Sequence, residues 1–325
     1  MTDADAGIRD GGGNTIHTIL VTARSFAKAN PLPLNLLMEA GCNVIRPKDE
    51  EEWRELLGEA DGVIAGLERY SEDTLHNCKK LKVISRYGVG CDAIDLDAAR
   101  KNGVKVAYTP GANSDSVADL TIALMLAAAR HVPYMDAMVK RGAVERPLGL
   151  EMCRKTLGVV GTGRIGKCVM KRASGFDMRL LCYDARQDDE AVLRLGGVYM
   201  NPDALCAESD FITIHLPLTA ETRGMISTNQ FKKMKKTAVI VNTARGGIVD
   251  EGALYNALKT GGIFAAGLDV SVDESLCGSP LCTLPNCVVS PHAGAATIEA
   301  THSMGMMAVE NLLAVLKTGT CPYLA

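Results

Sequence analysis

Four side chains late in the chain have types and placings suited to acid–base work on a small oxygenated substrate. They are Arg245 in VNTARGGIVDE, Asp269 and Glu274 in AAGLDVSVDES, and His292 in SPHAGAAT. Arg245, Asp269 and His292 each follow an apolar run that reads as a strand, and Glu274 stands in the loop beyond Asp269. They therefore fall at the carboxyl ends of strands, where open α/β sheets bind ligands. A histidine titrates near neutrality and can give or take an alcohol proton. A carboxylate beside it holds the imidazole and favours its charged form. An arginine offers a planar fork to a carboxylate or carbonyl oxygen. Singly, these could be a surface arginine, a solvated loop acid and a turn histidine; together they suit hydride transfer at a carbonyl carbon.

The stretch Lys155–Arg186 has the residues to hold a hydride carrier. Thr156–Val160 is an apolar run fit for a buried parallel strand. Gly161, Gly163 and Gly166 follow as G-x-G-x-x-G, then a helical pattern over Ile165–Ala173, then a second apolar run, Met178–Tyr183, ending in Asp184. That order is the dinucleotide fingerprint in its βαβ context. Gly161 makes the tight turn, Gly163 lets the backbone approach a pyrophosphate, and Gly166 allows close helix–strand packing. The helix N-terminus presents N–H groups to the phosphates. Asp184 is placed for the adenosine ribose hydroxyls and would repel a 2′-phosphate, so the expected cofactor is NAD.

Around these motifs the chain alternates short apolar strands with helices, which predicts parallel sheets covered on both faces. Five strands are expected before residue 110, a flavodoxin-like, doubly wound count. A long apolar helix is expected over Ser114–Arg130, capped by Ser114 or Ser116, then a polar, irregular stretch over His131–Leu150. Further βα units follow the fingerprint, and a helix over Ala300–Lys317 closes the chain. The first 17 residues, rich in Gly and Asp, read as a disordered tail.

Composition bounds the rest. With 325 residues, 47% apolar, two domains with aliphatic cores are expected. The formal charge of −3 gives no field to recruit nucleic acid or acidic membranes. The basic run Lys232, Lys233, Lys235, Lys236 reads as a solvated helix end, since no stacking aromatics are interleaved. His17, His76, His131 and His302 lack a chemical context and read as structural or solvent-facing. The 11 cysteines include no C-x-x-C pair, and Cys277, Cys282 and Cys287 have no close histidine. Neither a disulfide framework nor a metal site is expected, and the compartment reads as reducing cytoplasm. No membrane span or secretory leader is expected.

These motifs, with RYGVGCDAIDL and HLPLTAETRGMI, resemble the D-2-hydroxyacid dehydrogenase family in its D-3-phosphoglycerate dehydrogenase-like branch, over essentially the whole chain after the tail. The resemblance implies Arg245, Glu274 and His292 as the catalytic set, with backbone amides around Gly88, Val89 and Gly90 meeting the substrate carboxylate. It implies cofactor contacts from Gly161, Gly163, Arg164, Ile165, Gly166, Asp184, His215, Pro217, Thr222, Thr243, Ala244, Asp269 and Gly294. It also implies two Rossmann- or flavodoxin-like domains with a cleft between them: residues 18–112 with 298–325 for substrate, and 113–297 for NAD, the latter forming a homodimer. The sequence departs from the family at Ser275, where a proline commonly stands. The chain ends at Ala325 without the family's serine-sensing domain, so serine feedback is not expected.

The implied reaction interconverts a D-2-hydroxy acid and its 2-keto acid. Which acid is open: 3-phosphoglycerate, with Arg69 and Arg86 as candidate phosphate cations, or the hydroxypyruvate, glyoxylate or sulfonated acids of other reductases. Another function class is an NAD(H)-sensing transcriptional corepressor of the C-terminal binding protein type, which shares the fold. Formate dehydrogenase is disfavoured, because its histidine partner is Gln where Glu274 stands here.

Overall fold

Valine- and isoleucine-rich runs of three to five residues, spaced by amphipathic helices, build two parallel sheets. A computed structural model describes residues 16–273 and 277–325. The backbone divides into two compact units: the chain up to Asn113 together with Ala296–Ala325, and Ser114–Ala295.

Unit 1 holds β1 (Thr18–Val21), β2 (Asn43–Ile45), β3 (Gly62–Ala65), β4 (Val83–Arg86) and β5 (Lys105–Ala107), in the parallel order β2-β1-β3-β4-β5. This is the flavodoxin-like order. The connecting helices are α1 (Leu32–Glu39), α2 (Glu50–Leu57), α3 (Glu72–His76) and α4 (Leu96–Lys101). The last three start where a side chain accepts an orphan backbone N–H: Asp49 from Glu52, Ser71 from Thr74 and Asp95 from Ala98. His17 belongs to this unit: its carbonyl accepts the Asn43 N–H at 2.8 Å, and its ring lies 3.2 Å from Asp61. The first 15 residues of the expected tail lie outside the described residues.

Unit 2 begins with α5 (Ser114–Ala129) and α6 (Val132–Lys140), followed by β6 (Thr156–Val160), α7 (Arg164–Ala173) and β7 (Arg179–Tyr183). Then come α8 (Asp189–Arg194), β8 (Gly197–Tyr199), α9 (Pro202–Glu208), β9 (Phe211–Ile214), α10 (Thr228–Lys233), β10 (Val239–Asn242), α11 (Glu251–Lys259), β11 (Ala265–Leu268) and β12 (Cys287–Val289). The sheet runs β12-β11-β10-β9-β6-β7-β8, every pair parallel. Strand order reverses between β6 and β9, the topological switch point of a doubly wound sheet. Alternate residues of each strand feed opposite faces: Leu181, Ile212 and Ile240 enter one buried cluster, and Leu180, Phe211 and Val239 the other.

The last helix, α12 (Ile298–Thr318), returns to unit 1 and packs on β3, β4 and β5. Ser85 Oγ donates to the Ala308 carbonyl at 2.8 Å, and Asn311 Nδ2 to that of Tyr108 at 3.0 Å. Gly62 packs tightly beneath α12: a Cβ there would lie 3.1 Å from Val83 Cγ1 and 3.2 Å from Leu312 Cδ1, so its neighbours would have to give way.

Two expectations need correction. The stretch expected to be irregular, His131–Leu150, contains α6. His131 adopts a left-handed conformation that ends α5, and Pro133 starts the new helix. No α6 residue is buried, so no apolar period marks it. Neither Ser114 nor Ser116 is an established cap for α5: the Ser116 hydroxyl donates instead to the Gly294 carbonyl at 2.6 Å. The basic run closes α10 as a solvated helix end, with Lys233 paired to Asp203 at 2.5 Å and Lys235 to Asp210 at 2.8 Å.

Candidate active site

The site residues of unit 2 line the carboxyl edge of its sheet. Following the strand order from β7 to β12, they are Asp184, the glycine loop, His215, Thr243–Arg245, Asp269 and His292. Neighbouring strands lie about 4.8 Å apart, so β10 and β12, whose ends carry Arg245 and His292, are about 10 Å apart with β11 between them.

His292 stands just past β12 with φ of +52°, a left-handed conformation for a residue with a side chain. Asp269, 1% exposed at the end of β11, holds it there. One Asp269 oxygen accepts from Ser290 Oγ at 2.6 Å and Ala293 N at 2.7 Å, the other from Gly294 N at 2.8 Å, while its carbonyl accepts the His292 N–H at 3.0 Å. With both carboxylate oxygens anchoring the loop, Asp269 places the histidine. His292 itself is exposed on this anchored turn.

Arg245 sits on the neighbouring loop. Asn242, 2% exposed at the end of β10, accepts from Ala244 N at 3.0 Å and donates to the Arg245 carbonyl at 2.9 Å. Gly246 lies against the β11 loop: a Cβ there would fall 2.1 Å from the Ser271 carbonyl carbon and oxygen. Thr243, 8% exposed, shares a 2.9 Å hydrogen bond with Thr121 of α5, so it braces the loop from inside, next to the buried Ala244.

The glycine loop fits a dinucleotide diphosphate. Gly161 has φ of +104°, and a Cβ on it would lie 2.6 Å from the His215 carbonyl carbon. Gly166 packs on the Gly161 carbonyl, 2.0 Å from where its Cβ would be. At Gly163, the N-cap of α7, a Cβ would meet nothing within 4 Å, and no side chain caps the helix. Open space over uncapped N–H groups suits an anion. Arg164 is exposed and Ile165 half-buried at the helix start. Asp184 accepts from Thr162 N at 2.7 Å and Arg186 N at 2.9 Å.

His215 follows β9. Its Nε2 is 2.9 Å from Thr213 Oγ1, its buried Nδ1 has no hydrogen-bond partner among the described residues, and burial pushes its pKa down to about 3. The ring is therefore neutral at physiological pH. Thr222 Oγ1 donates to the Pro217 carbonyl at 2.7 Å, so these two shape one loop.

In unit 1 the Gly88 N–H is already taken by the Arg86 carbonyl at 2.9 Å, and Gly88 has φ of +145°. The Arg86 guanidinium lies beneath this loop and donates to the carbonyls of Gly90, at 2.9 Å, and of Tyr87 and Ala65. Arg69 is exposed, and Glu68 turns away to accept from Thr22 Oγ1 at 2.7 Å. Glu274 lies outside the described residues. The sequence reading missed the side chains that hold these loops: Asn242, Ser290, Ser116 and Thr162. Buried polar residues at strand ends were the available signal.

Comparison with known proteins agrees with this construction. The model of the family "D-isomer specific 2-hydroxyacid dehydrogenase, NAD binding domain" matches residues 122–294. A D-3-phosphoglycerate dehydrogenase of Methanocaldococcus jannaschii is 44% identical over 87% of this chain and 55% of its own length. A glyoxylate reductase of Thermococcus litoralis is 42% identical over 79% of this chain and 80% of its own. The crystal structure of the TT0316 protein from Thermus thermophilus superposes with a TM-score of 0.87 at 38% identity, covering 95% of this chain and 99% of that one. A doubly wound parallel sheet with an open glycine loop at its switch point is a dinucleotide-binding unit, and the matched family model describes it as an NAD binding domain. The chain belongs to the D-2-hydroxyacid dehydrogenase family, and its cofactor is NAD. It spans about half the length of the phosphoglycerate dehydrogenases it matches.

Proposed function

We propose that this chain interconverts a D-2-hydroxy acid and its 2-keto acid. The observation that carries this is the pairing of Arg245 and His292 on loops flanking β11, each held by a buried strand-end side chain. When bound, the nicotinamide supplies or takes the hydride at substrate C2. Gly161, Gly163, Gly166 and the α7 N-terminus hold the diphosphate, and Asp184 holds the adenosine ribose. Arg245 forks onto the substrate carboxylate and carbonyl oxygens, and His292 gives the proton to the forming alkoxide or takes it from the alcohol. The role of Val89 and Gly90 toward the carboxylate rests on the family resemblance alone. The role of Glu274 rests on the family resemblance: its charge supports the imidazolium. In Glu274→Gln, the limb of reductive kcat/KM that declines as pH rises should move to lower pH. A limb that stays in place while overall activity drops would remove Glu274 from this role.

For the substrate, 3-phosphoglycerate is the first reading and the small unphosphorylated acids the alternative: Arg86 donates to carbonyls of its own loop, and Arg69 is the exposed cation a phosphate would meet. Following NADH absorbance with glyoxylate, hydroxypyruvate and 3-phosphohydroxypyruvate, compared as kcat/KM, tests the reading. Turnover of none of them would refute it and favour an NAD(H)-sensing role. Preference for the phosphorylated acid, lost in Arg69→Ala, would support the phosphoglycerate dehydrogenase-like assignment, and preference for glyoxylate or hydroxypyruvate the alternative. The 11 free cysteines suit a reducing cytoplasm, and no helix among the described residues is long and apolar enough to cross a membrane. The NAD-binding unit is proposed to form a homodimer.

A further inference from the structure

The Asp184 carboxylate ends a chain of hydrogen bonds whose direction is fixed by chemistry. The Asp188 N–H can only donate, and it lies 3.0 Å from Tyr199 Oη. The Asp184 carboxylate, when ionised, can only accept, and its Oδ2 lies 3.3 Å from Thr162 Oγ1. Between them, Tyr199 Oη and Thr162 Oγ1 are 2.6 Å apart. The protons therefore run one way: Asp188 N–H to Tyr199, the Tyr199 hydroxyl to Thr162, and the Thr162 hydroxyl to Asp184. Thr162 is 3% exposed and lies between Gly161 and Gly163, so the chain ties the glycine loop to the carboxylate.

The same network fastens three other elements. Tyr199 ends β8, the edge strand beyond β7. Asp188 caps α8 by accepting the Ala191 N–H at 3.2 Å, and it pairs with Lys167 of α7. The hydroxyl of one tyrosine is thus the link between the α8 cap and the loop that faces the cofactor. Asp184 already accepts from Thr162 N, Thr162 Oγ1 and Arg186 N, which uses most of its lone-pair sites and fixes its remaining face.

We propose that Tyr199 is a positioning residue for cofactor choice. Through Thr162 it holds the Asp184 carboxylate in the orientation that receives the ribose diol of NAD and repels the 2′-phosphate of NADP. This rests on the reading of Asp184 as the ribose acceptor. A tyrosine-to-phenylalanine change removes one hydroxyl and leaves the ring in place. The Thr162 hydroxyl then loses its donor and turns away from a fixed direction, so Asp184 keeps its backbone N–H contacts from Thr162 and Arg186 but loses the directed hydroxyl that sets the tilt of its carboxylate. NAD loses a preformed acceptor, and NADP meets less repulsion.

The test is fluorescence titration of NADH and NADPH against wild type, Tyr199→Phe, Thr162→Val, Asp184→Ala and the Tyr199→Phe/Asp184→Ala pair. Tyr199→Phe should raise the NADH Kd roughly threefold to tenfold, about 0.7–1.4 kcal/mol, the worth of one neutral hydrogen bond. The NADPH Kd should stay level or fall, so the preference narrows. Thr162→Val, which removes the next link without losing volume, should do the same. In the Asp184→Ala background Tyr199→Phe should add nothing, because the group it orients is gone. Equal weakening of both cofactors, or the same loss with Asp184 absent, would show a merely structural role and overturn the proposal. If Asp184→Ala narrows the preference and Tyr199→Phe leaves it intact, this inference alone fails. If Asp184→Ala has no effect, the reading of Asp184 fails first and takes this proposal with it.

Discussion

At Arg245 a positive charge alone does not suffice. The proposed role needs a planar fork that meets two oxygens at once, on a loop that Asn242 and Gly246 hold in place. Arg245→Lys keeps the charge and loses the fork, and kcat/KM should fall about tenfold or more, each ~1.4 kcal/mol of lost transition-state binding being tenfold. Steady-state kinetics unchanged by the substitution would take Arg245 out of the site. His215 makes the opposite kind of prediction. Its ordinary pKa of about 6.5 is pushed down to about 3 by burial, so it is neutral in the folded chain. Between those two values the unfolded chain binds a proton that the folded chain refuses, and acid favours unfolding. The stabilisation is complete above about pH 6.5 and is lost as pH falls toward 3, by at most ~1.4 kcal/mol per pH unit. His215→Gln, which binds no proton, should show a flatter decline in urea midpoint between about pH 7 and pH 4; parallel curves would mean that His215 does not stay neutral. The chemical types at this scale were legible: a histidine, an arginine and a carboxylate at strand ends announce acid–base and anion-holding work. What each carboxylate faces was not legible. Asp269 reads as a cofactor contact from its motif, yet both its oxygens hold the His292 turn, because the groups they meet come from a segment more than 20 residues further on.

Among the elements, the glycine loop separates the needs of folding from those of binding. Gly166 is required by the fold: a methyl there would lie 2.0 Å from the Gly161 carbonyl, so α7 would have to move off β6. Gly163 is different, since a methyl there meets no atom within 4 Å, and φ is −66°. We expect Gly166→Ala to lower the melting temperature by several degrees, the shift that about 1–3 kcal/mol of overpacking produces. Gly163→Ala should leave it within a degree or so while weakening NADH binding at least tenfold, because the methyl fills space that the diphosphate needs. Calorimetry with and without NADH separates the two. Equal melting shifts for both variants would contradict the packing argument, and unimpaired NADH binding by Gly163→Ala would contradict the phosphate site. Element existence was legible wherever an apolar strand is buried on both faces, as in β6, β9, β10 and β11. It failed where burial is slight. β8 is a three-residue edge strand whose middle residue is exposed, and α6 buries nothing, so neither writes its period into the sequence.

For the whole molecule, the helix with nothing buried is the feature that calls for a partner. A nine-residue helix is not stable in water on propensity alone, and its stability comes from packing an apolar face. On α6 and the segment after it, Val132 is 50% exposed, Val139 65%, Val144 78% and Leu148 91%. Four large aliphatic side chains are exposed between positions 132 and 148 of one unit, and covering them would supply the packing that α6 lacks. A second copy of the chain supplies the same residues in return, as a two-fold interface requires. The proposed homodimer is therefore expected to close over α6, and light scattering behind size exclusion should give twice the chain mass at micromolar concentration. Val139→Glu combined with Leu148→Glu would set carboxylates against apolar surface, and the mass should fall to that of one chain. Because α6 lies outside the ordered edge that carries Asp184, Arg245 and His292, the monomeric variant should still bind NADH, though its melting temperature should drop and cease to depend on protein concentration. A dimer that survives both charges would place the interface elsewhere on the NAD-binding unit and leave these exposed side chains without an explanation.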